Sequence, residues 1–328
     1  MNSEGTHTPR LALFDVIQPG RLTLVQDGGR EQHEAWGITE SGPCDPYAAY
    51  WANLLCGNSP DTPLLECTLG GLVLKTLRQC SIAVAGAPLL LRLNGQIVPL
   101  WQTLCLQVGD IVSLGMPKNG LRTYLAVTGG LAAPQVFGSC ATSVRDKLGG
   151  LQANGSPITS ADRLFQAVDL SVLDTIYRID KRAMPVYPDR LHLRFICGYQ
   201  WPHLGPLVQQ AFCQQEYSVS PDSDRMGVRL KGTAISGVQG IVSEGITLGA
   251  IQLPPDGQPI VMLNDRQTIG GYAKLGSVLE QDCALLAQAR PGCRIQFHPV
   301  SLSQAAELRH HLAAFFQHTP LIEVSAHV

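Results

Sequence analysis

Charge is what this sequence has least of. Asp, Glu, Lys and Arg make up 15% of its 328 residues, against roughly 25% in an average soluble domain. The 24 basic and 26 acidic residues leave a formal net charge of −2. No surplus of positive charge is there to attract a polyanion, which argues against nucleic acid as the main partner. Two readings fit so few charges: surface buried against another subunit, or the neutral loops of a Gly-rich β protein.

Long apolar runs are missing as well. The longest candidate, residues 80–91, stops at Arg92, short of the roughly 18 residues a membrane span needs. Residues 1–10 are polar and hold no apolar stretch of a secretory signal. A cytoplasmic location is therefore expected.

The usual metal and nucleotide motifs are absent. None of the ten cysteines stands in a Cys-x-x-Cys pair, and most lie in apolar runs such as Leu104-Cys105-Leu106. They read as buried thiols rather than a disulfide frame or zinc site. There is no His-Glu-x-x-His, and the adjacent His310 and His311 on a predicted helix point in different directions. No metal site is expected. No lysine follows a glycine, so there is no Walker A loop. Gly-x-Ser-x-Gly and Gly-x-Gly-x-x-Gly are missing too.

Glycine and proline are what the chain has instead, 33 and 22 of them. They punctuate many short apolar runs, the pattern of a mainly β protein with a few short helices. The length suggests two domains at about 150 residues each. The charged stretch 180–190, with Pro185 and Pro188, marks the boundary. The expected units are residues 11–184, residues 185–300, and a C-terminal helix and tail over 301–328.

Within the first unit, residues 45–56 predict a helix. Asp45 caps it, Pro46 fits its first position, and Gly57 ends it. Leu121, Thr123, Leu125 and Val127 alternate with polar or smaller residues, a half-buried strand signal. In the second unit, strands are expected over 191–196, 246–253, 259–263, 283–289 and 294–300, with a short helix over 206–215. Ser301 and Gln304 have capping-box spacing before a helix to Phe316. Its stripe of Leu302, Ala305, Leu308, Leu312, Phe315 and Phe316 is expected to pack as core. A faint echo links two apolar runs that lead to Gly129-Gly130 and to Gly270-Gly271, a weak sign of two related β units.

Three polar stretches could carry chemistry. The densest is residues 242–275. Its Asp265 and Glu244 are candidate acid/base groups. Gln252, Gln267 and Thr268 can orient an amide, and the Gly270-Gly271 backbone can approach a carboxylate or oxyanion closely. Tyr272 follows directly. The second stretch, residues 218–230, places Arg225 and Arg229 four apart beside Asp222 and Asp224. Arginine suits a carboxylate, carbamate or phosphate, and an internal Asp–Arg pair pinning a loop is the other reading. The third, Val25-Gln-Asp-Gly-Gly-Arg30, reads as a turn that Gln26, Asp27 and Arg30 close.

Taken together, these stretches resemble the allophanate hydrolase subunit 2, or KipA-like, family of biotin-dependent carboxyltransferases. The match runs through Val25-Gln-Asp-Gly-Gly-Arg30, Ser41-Gly-Pro-Cys-Asp45, Ala52-Asn-Leu-Leu-Cys-Gly-Asn58, Leu65-Glu66 and Tyr124-Leu-Ala-Val-Thr-Gly-Gly130. It continues through Ser223-Asp-Arg-Met-Gly-Val-Arg-Leu230, Ser243-Glu-Gly245, Gly257-Gln-Pro-Ile-Val261 and Asp265-Arg-Gln-Thr-Ile-Gly-Gly-Tyr272. Within the family the likeness is greatest to the C subunits of bacterial ATP-dependent 5-oxoprolinases. The resemblance implies a cyclophilin-like β-barrel architecture. It also implies two partners, a KipI-like B subunit and a LamB/YcsF-type A subunit, with ATP as cofactor shared among them. The implied reaction opens 5-oxo-L-proline to L-glutamate. There Asp265 or Glu244 would be the base, Arg225 would hold a carboxylate or phosphate, and Gly270 and Gly271 would steady an oxyanion, with Asp224 nearby. The alternatives are a carboxyltransferase acting on urea or another amide with a biotin carrier, and a KipA-like regulatory binding protein. No Met-Lys-Met site is present, so no biotin is expected on this chain. Ile269 and Ala273 stand where the family pattern has Thr and Pro.

Overall fold

The computed structural model describes residues 11–170 and 172–324 and folds as two β units and a closing helix. The first unit stacks two antiparallel sheets. One has six strands in the order Arg163–Gln166, Leu11–Pro19, Leu72–Thr76, Ile111–Leu114, Leu91–Leu93 and Gln96–Val98. The other has five, in the order Leu22–Gln26, Leu64–Thr68, Arg122–Val127, Cys80–Gly86 and Thr103–Leu106. Leu13, Phe14, Leu65, Leu74, Ile82 and Leu125 fill the space between them.

Helix α1 (Pro46–Leu55) covers the far face of the five-stranded sheet. The Asp45 carboxylate accepts from the Ala48 N–H at 3.1 Å, Pro46 sits in the first turn, and Gly57 beyond the end has φ +69°. This cover corrects the reading of Arg122–Val127 as half-buried, for all six residues are buried. Leu125 and Val127 face the inter-sheet core, while Tyr124 and Ala126 face α1. Small residues at Ala83, Ala85 and Ala126 let the helix lie close, so the Trp51 and Leu55 side chains are sealed off.

The second unit is a closed seven-strand barrel in the order Arg190–Cys197, Ala273–Val278, Ala250–Leu253, Ile260–Met262, Gly227–Lys231, Tyr217–Val219 and Arg294–Val300. Its first and last strands close it in parallel, and the other pairs are antiparallel. Closure leaves no free edge. Side chains alternate: Val228, Leu230, Ile251, Leu253 and Val261 point into the core, and the residues between them point out. The mainly β expectation and its barrel hold. The two units nonetheless differ in architecture, one a sheet pair and the other a barrel.

Helix α2 (Pro206–Gln214) buries Phe212, which stacks on Phe297 at 4.7 Å. Helix α3 (Glu280–Ala287) replaces the strand expected over 283–289. Ala and Leu favour helix, and Glu280 and Asp282 sit in its first turn, where negative charge is favourable. With residues buried on more than one face, its apolar run carries no clean period to read.

Helix α4 (Leu302–His318) opens with the expected Ser301–Gln304 capping box. It leaves the barrel and lies on α1. Phe316 packs against Tyr47, Tyr50 and Trp51, with ring centroids 4.9–5.6 Å apart. Ile322–Val324 then pairs with Ile176–Arg178 of the first unit. The stripe expected as core is only half-covered: no α4 residue is buried, and Leu302 is 71% exposed. One face touches one neighbouring helix, and that is too little to enclose it. No helix among the described residues is long and apolar enough to cross a membrane.

Candidate functional site

The motif stretches converge on two places: a buried polar joint between the units and an open groove on the barrel wall.

The joint is centred on Glu66, Arg225 and Asp265, all at most 6% exposed. Arg225 donates through Nε and Nη2 to the two oxygens of Asp265, both at 2.9 Å. It donates through Nη1 to Glu66 at 2.5 Å and to the Cys44 sulfur at 3.1 Å, and through Nη2 to the Gly42 carbonyl at 2.7 Å. Asp265 also accepts from the Ser41 hydroxyl at 2.9 Å. Glu66 accepts further from the Cys44 N–H and the Tyr124 hydroxyl, with Arg122 3.5 Å away. Burial opposes every one of these charges. The two guanidiniums nonetheless outweigh it and hold Glu66 below the usual carboxylate range. For Arg225 the facing acids likewise overcome burial and raise its pKa. Burial pushes the Cys44 thiol up to about 12, which makes it a poor nucleophile at neutral pH.

Each guanidinium nitrogen of Arg225 is thus engaged within the chain, and the bidentate geometry with Asp265 is the strong form of that pair. The internal partner is Asp265, not the nearby Asp222 or Asp224. Segment 41–45 belongs to the first unit and residues 225 and 265 to the second, so this network joins the two. Gln288, just past α3, adds to it by donating to Asp45 at 2.8 Å and accepting from the Leu121 and Arg122 N–H groups. The Val25–Arg30 turn is internal too. Asp27 accepts from the Gly29 and Cys140 N–H groups, and Arg30 donates to the carbonyls of Val136, Ser139 and Ala141.

The groove lies on the outward face of the barrel, with a volume of about 630 Å³. Strand alternation builds it. Gly227, Arg229 and Lys231 point outward from one strand, Ile260 and Met262 from the next, and Gln252 from the third. Met226, Ala250, Ile246, Ile260 and Met262 form a small apolar cluster in this region. Asp222, Asp224, Asp256, Gln267 and Tyr272 supply the rim. Among the described residues, no carboxylate lies within ion-pair distance of Arg229 or Lys231. Asp224 accepts from the Met226 and Gly227 N–H groups at 2.9 and 3.2 Å, which fixes the turn entering the strand.

A two-stranded ribbon flanks the groove, Glu244–Gly245 against Ile269–Gly270. Lys274 meets Glu244 at 2.5 Å, and the Tyr199 hydroxyl donates to it at 3.1 Å. The hydrogen bond from Lys274 holds Glu244 below its ordinary pKa. The Ile246 N–H donates to the Thr268 carbonyl and the Ile241 N–H to the Gly271 carbonyl, which tie the loops on either side of the ribbon. Glycine at 270 leaves room for two side-chain ends: a Cβ there would lie 2.5 Å from Ile246 Cδ1 and 2.9 Å from Gln252 Nε2 and would displace them.

The structure therefore gathers Asp224, Gln252, Gln267 and Tyr272 in the groove, with Gly270 in the adjoining ribbon and Thr268 and Gly271 flanking it. It sets Arg225 and Asp265 in the joint and Glu244 on the ribbon. Sequence reasoning passed over Glu66 as the hub of the joint and Lys231 as a groove cation. A lone acid in the apolar run Leu64-Leu65-Glu66-Cys67 was the available signal for the first. All ten cysteines are unpaired, seven of them buried. No cluster of potential metal ligands occurs among the described residues.

Comparisons with known proteins agree with this fold. Residues 36–299 match the family model of the carboxyltransferase domain, subdomain A and B. The chain is 34% identical to the C subunit of the Escherichia coli 5-oxoprolinase, over 93% of this chain and 97% of that protein. It superposes on the Kluyveromyces lactis urea carboxylase with a TM-score of 0.86 at 27% identity, over 94% of this chain and 29% of that one. A solved structure of TTHA0988 gives a TM-score of 0.79 at 34% identity, and the chain spans only 56% of its length. The chain belongs to the carboxyltransferase family of subdomains A and B, the family that holds the 5-oxoprolinase C subunits and the matching part of urea carboxylases.

Proposed function

We propose that the chain is the C subunit of an ATP-dependent 5-oxoprolinase. With a KipI-like B subunit and a LamB/YcsF-type A subunit, it opens 5-oxo-L-proline to L-glutamate, coupled to ATP hydrolysis. The end-to-end match to the Escherichia coli C subunit carries this reading, because the alignment covers nearly the whole of both proteins. Unpaired thiols throughout the chain fit a reducing cytoplasm.

The barrel groove is the proposed substrate site. Arg229 and Lys231, without internal carboxylate partners, take the substrate carboxylate. The Tyr272 ring and the Met226 and Met262 side chains cover the apolar ring carbons. Gln252 and Gln267 meet the amide, with Thr268, Gly270 and Gly271 shaping the ribbon beside it. Arg225 and Asp265 act as positioning residues, clamping the barrel loop against segment 41–45. Glu244, through Lys274, locks the ribbon.

The rim of this groove sets three carboxylates, Asp222, Asp224 and Asp256, against two cations, a poor match for bare phosphates. We therefore assign the nucleotide phosphates to one of the two partners.

The test is ADP and glutamate release from 5-oxoproline by the chain alone and with both partners. Release only from the full mixture supports the proposal. The second reading, carboxyl transfer to urea or another amide, is favoured by the superposition on urea carboxylase. Urea consumption with a carboxylated biotin carrier, and no glutamate with the two partners, would select it. Tight binding to the KipI-like partner without any turnover would select a KipA-like regulatory role.

A further inference from the structure

Gln252 and Gln267 form an amide pair whose hydrogen-bonding is left half open. Gln267 Nε2 donates to Gln252 Oε1 at 3.4 Å. That single bond uses one donor from one glutamine and the acceptor from the other. Gln267 Oε1 is buried with no hydrogen-bond partner, and the Gln252 amide nitrogen donates to nothing among the described residues. Gln252 itself is 2% exposed, and both residues line the groove. A buried polar atom without a partner forfeits its hydration and gains nothing in return, and a native fold tolerates one most readily where a ligand completes it. Gly270 lies against both amides: a Cβ there would stand 2.9 Å from Gln252 Nε2 and 3.5 Å from Gln267 Nε2.

The pair thus leaves one acceptor and one donor without partners on two glutamines that touch each other. A five-membered lactam or cyclic urea is a cis amide, with N–H and C=O on the same edge. An open-chain secondary amide is trans and presents them on opposite edges. We infer that Gln252 and Gln267 are specificity-determining residues that read the cis-amide edge of the ligand: Gln267 Oε1 accepts its N–H, and Gln252 Nε2 donates to its C=O. This rests on the reading of the groove as a lactam site and adds to it the atoms that select the lactam.

The five-membered lactone acid, with a ring oxygen in place of the N–H, isolates the Gln267 contact. A site built to accept that N–H rejects the lactone by about tenfold or more, because its buried acceptor stays unpaired. The experiment uses the assembled three-subunit enzyme and measures the lactam KM and the inhibition constant of the lactone. For wild type, the lactam should be preferred at least about tenfold. Gln267→Leu should weaken the lactam but not the lactone, which erases the preference. Gln252→Glu should weaken both ligands equally, by about tenfold, and keep the preference, since both carry the carbonyl. A Gln267→Leu enzyme that keeps the preference overturns the inference, as does one in which both ligands weaken alike. If Gln267→Leu does not fold, Gln267→Glu, which retains the acceptor, must keep the preference, and its loss there overturns the inference. Absence of glutamate from the wild-type mixture rejects the lactam reading itself, and the inference with it.

Discussion

Glu66 receives three hydrogen bonds, from the Cys44 N–H, the Tyr124 hydroxyl and Arg225 Nη1, and faces Arg122 as well. Its removal leaves Arg122 buried without its acid and Arg225 with Asp265 alone, and breaking such a buried pair costs about 3–5 kcal/mol. Glu66→Gln should therefore lower unfolding stability by about that much, read by denaturant melts. The pH dependence has a fixed sign. Glu66 is held below its unfolded pKa of about 4.3, so it binds protons less tightly when folded. Its contribution is full above that unfolded value and is lost as pH falls through the lower folded value. Melting temperature should drop on acidification below about pH 4, with a shallower slope in Glu66→Gln. An equal slope in both proteins would assign acid unfolding to other carboxylates. The sequence offered Arg225 and Asp265 as candidates in two separate stretches. It did not show that they face each other, because the Ser41–Asp45 segment that encloses them lies 181 to 224 residues away along the chain.

At the scale of elements, capped helices were the most legible and uniformly apolar ones the least. Asp45-Pro46 and Ser301–Gln304 announce α1 and α4 because caps are local chemistry. Helix α3 carried no such mark, and burial on more than one face hid its period. The strand alternation that builds the groove is legible in Val228-Arg229-Leu230-Lys231, yet which side faced solvent depended on barrel closure. Two expectations belong here. Phe316→Ala removes the ring that fixes α4 on α1, and it should cost about 1–3 kcal/mol in thermal unfolding given its half-burial. Gly270→Ala puts a methyl group against Ile246 and Gln252. It should raise the KM for 5-oxoproline by about tenfold through displacement of the amide pair.

For the whole molecule, the joint and the groove divide the labour. The buried network fixes the barrel against the first unit, and the exposed face of the same barrel strands offers the ligand groups. Arg225 and Arg229 lie on opposite sides of this division, although the sequence sets them only four residues apart. The measurement that tests the account most directly is glutamate release as a function of 5-oxoproline concentration, in three-subunit assemblies carrying wild-type chain or Arg229→Ala. The account expects the KM to rise about tenfold or more in Arg229→Ala with the melting temperature within about 1 °C of wild type, since Arg229 has no internal ion pair to lose. An unchanged KM would contradict the groove as the place where the substrate carboxylate binds.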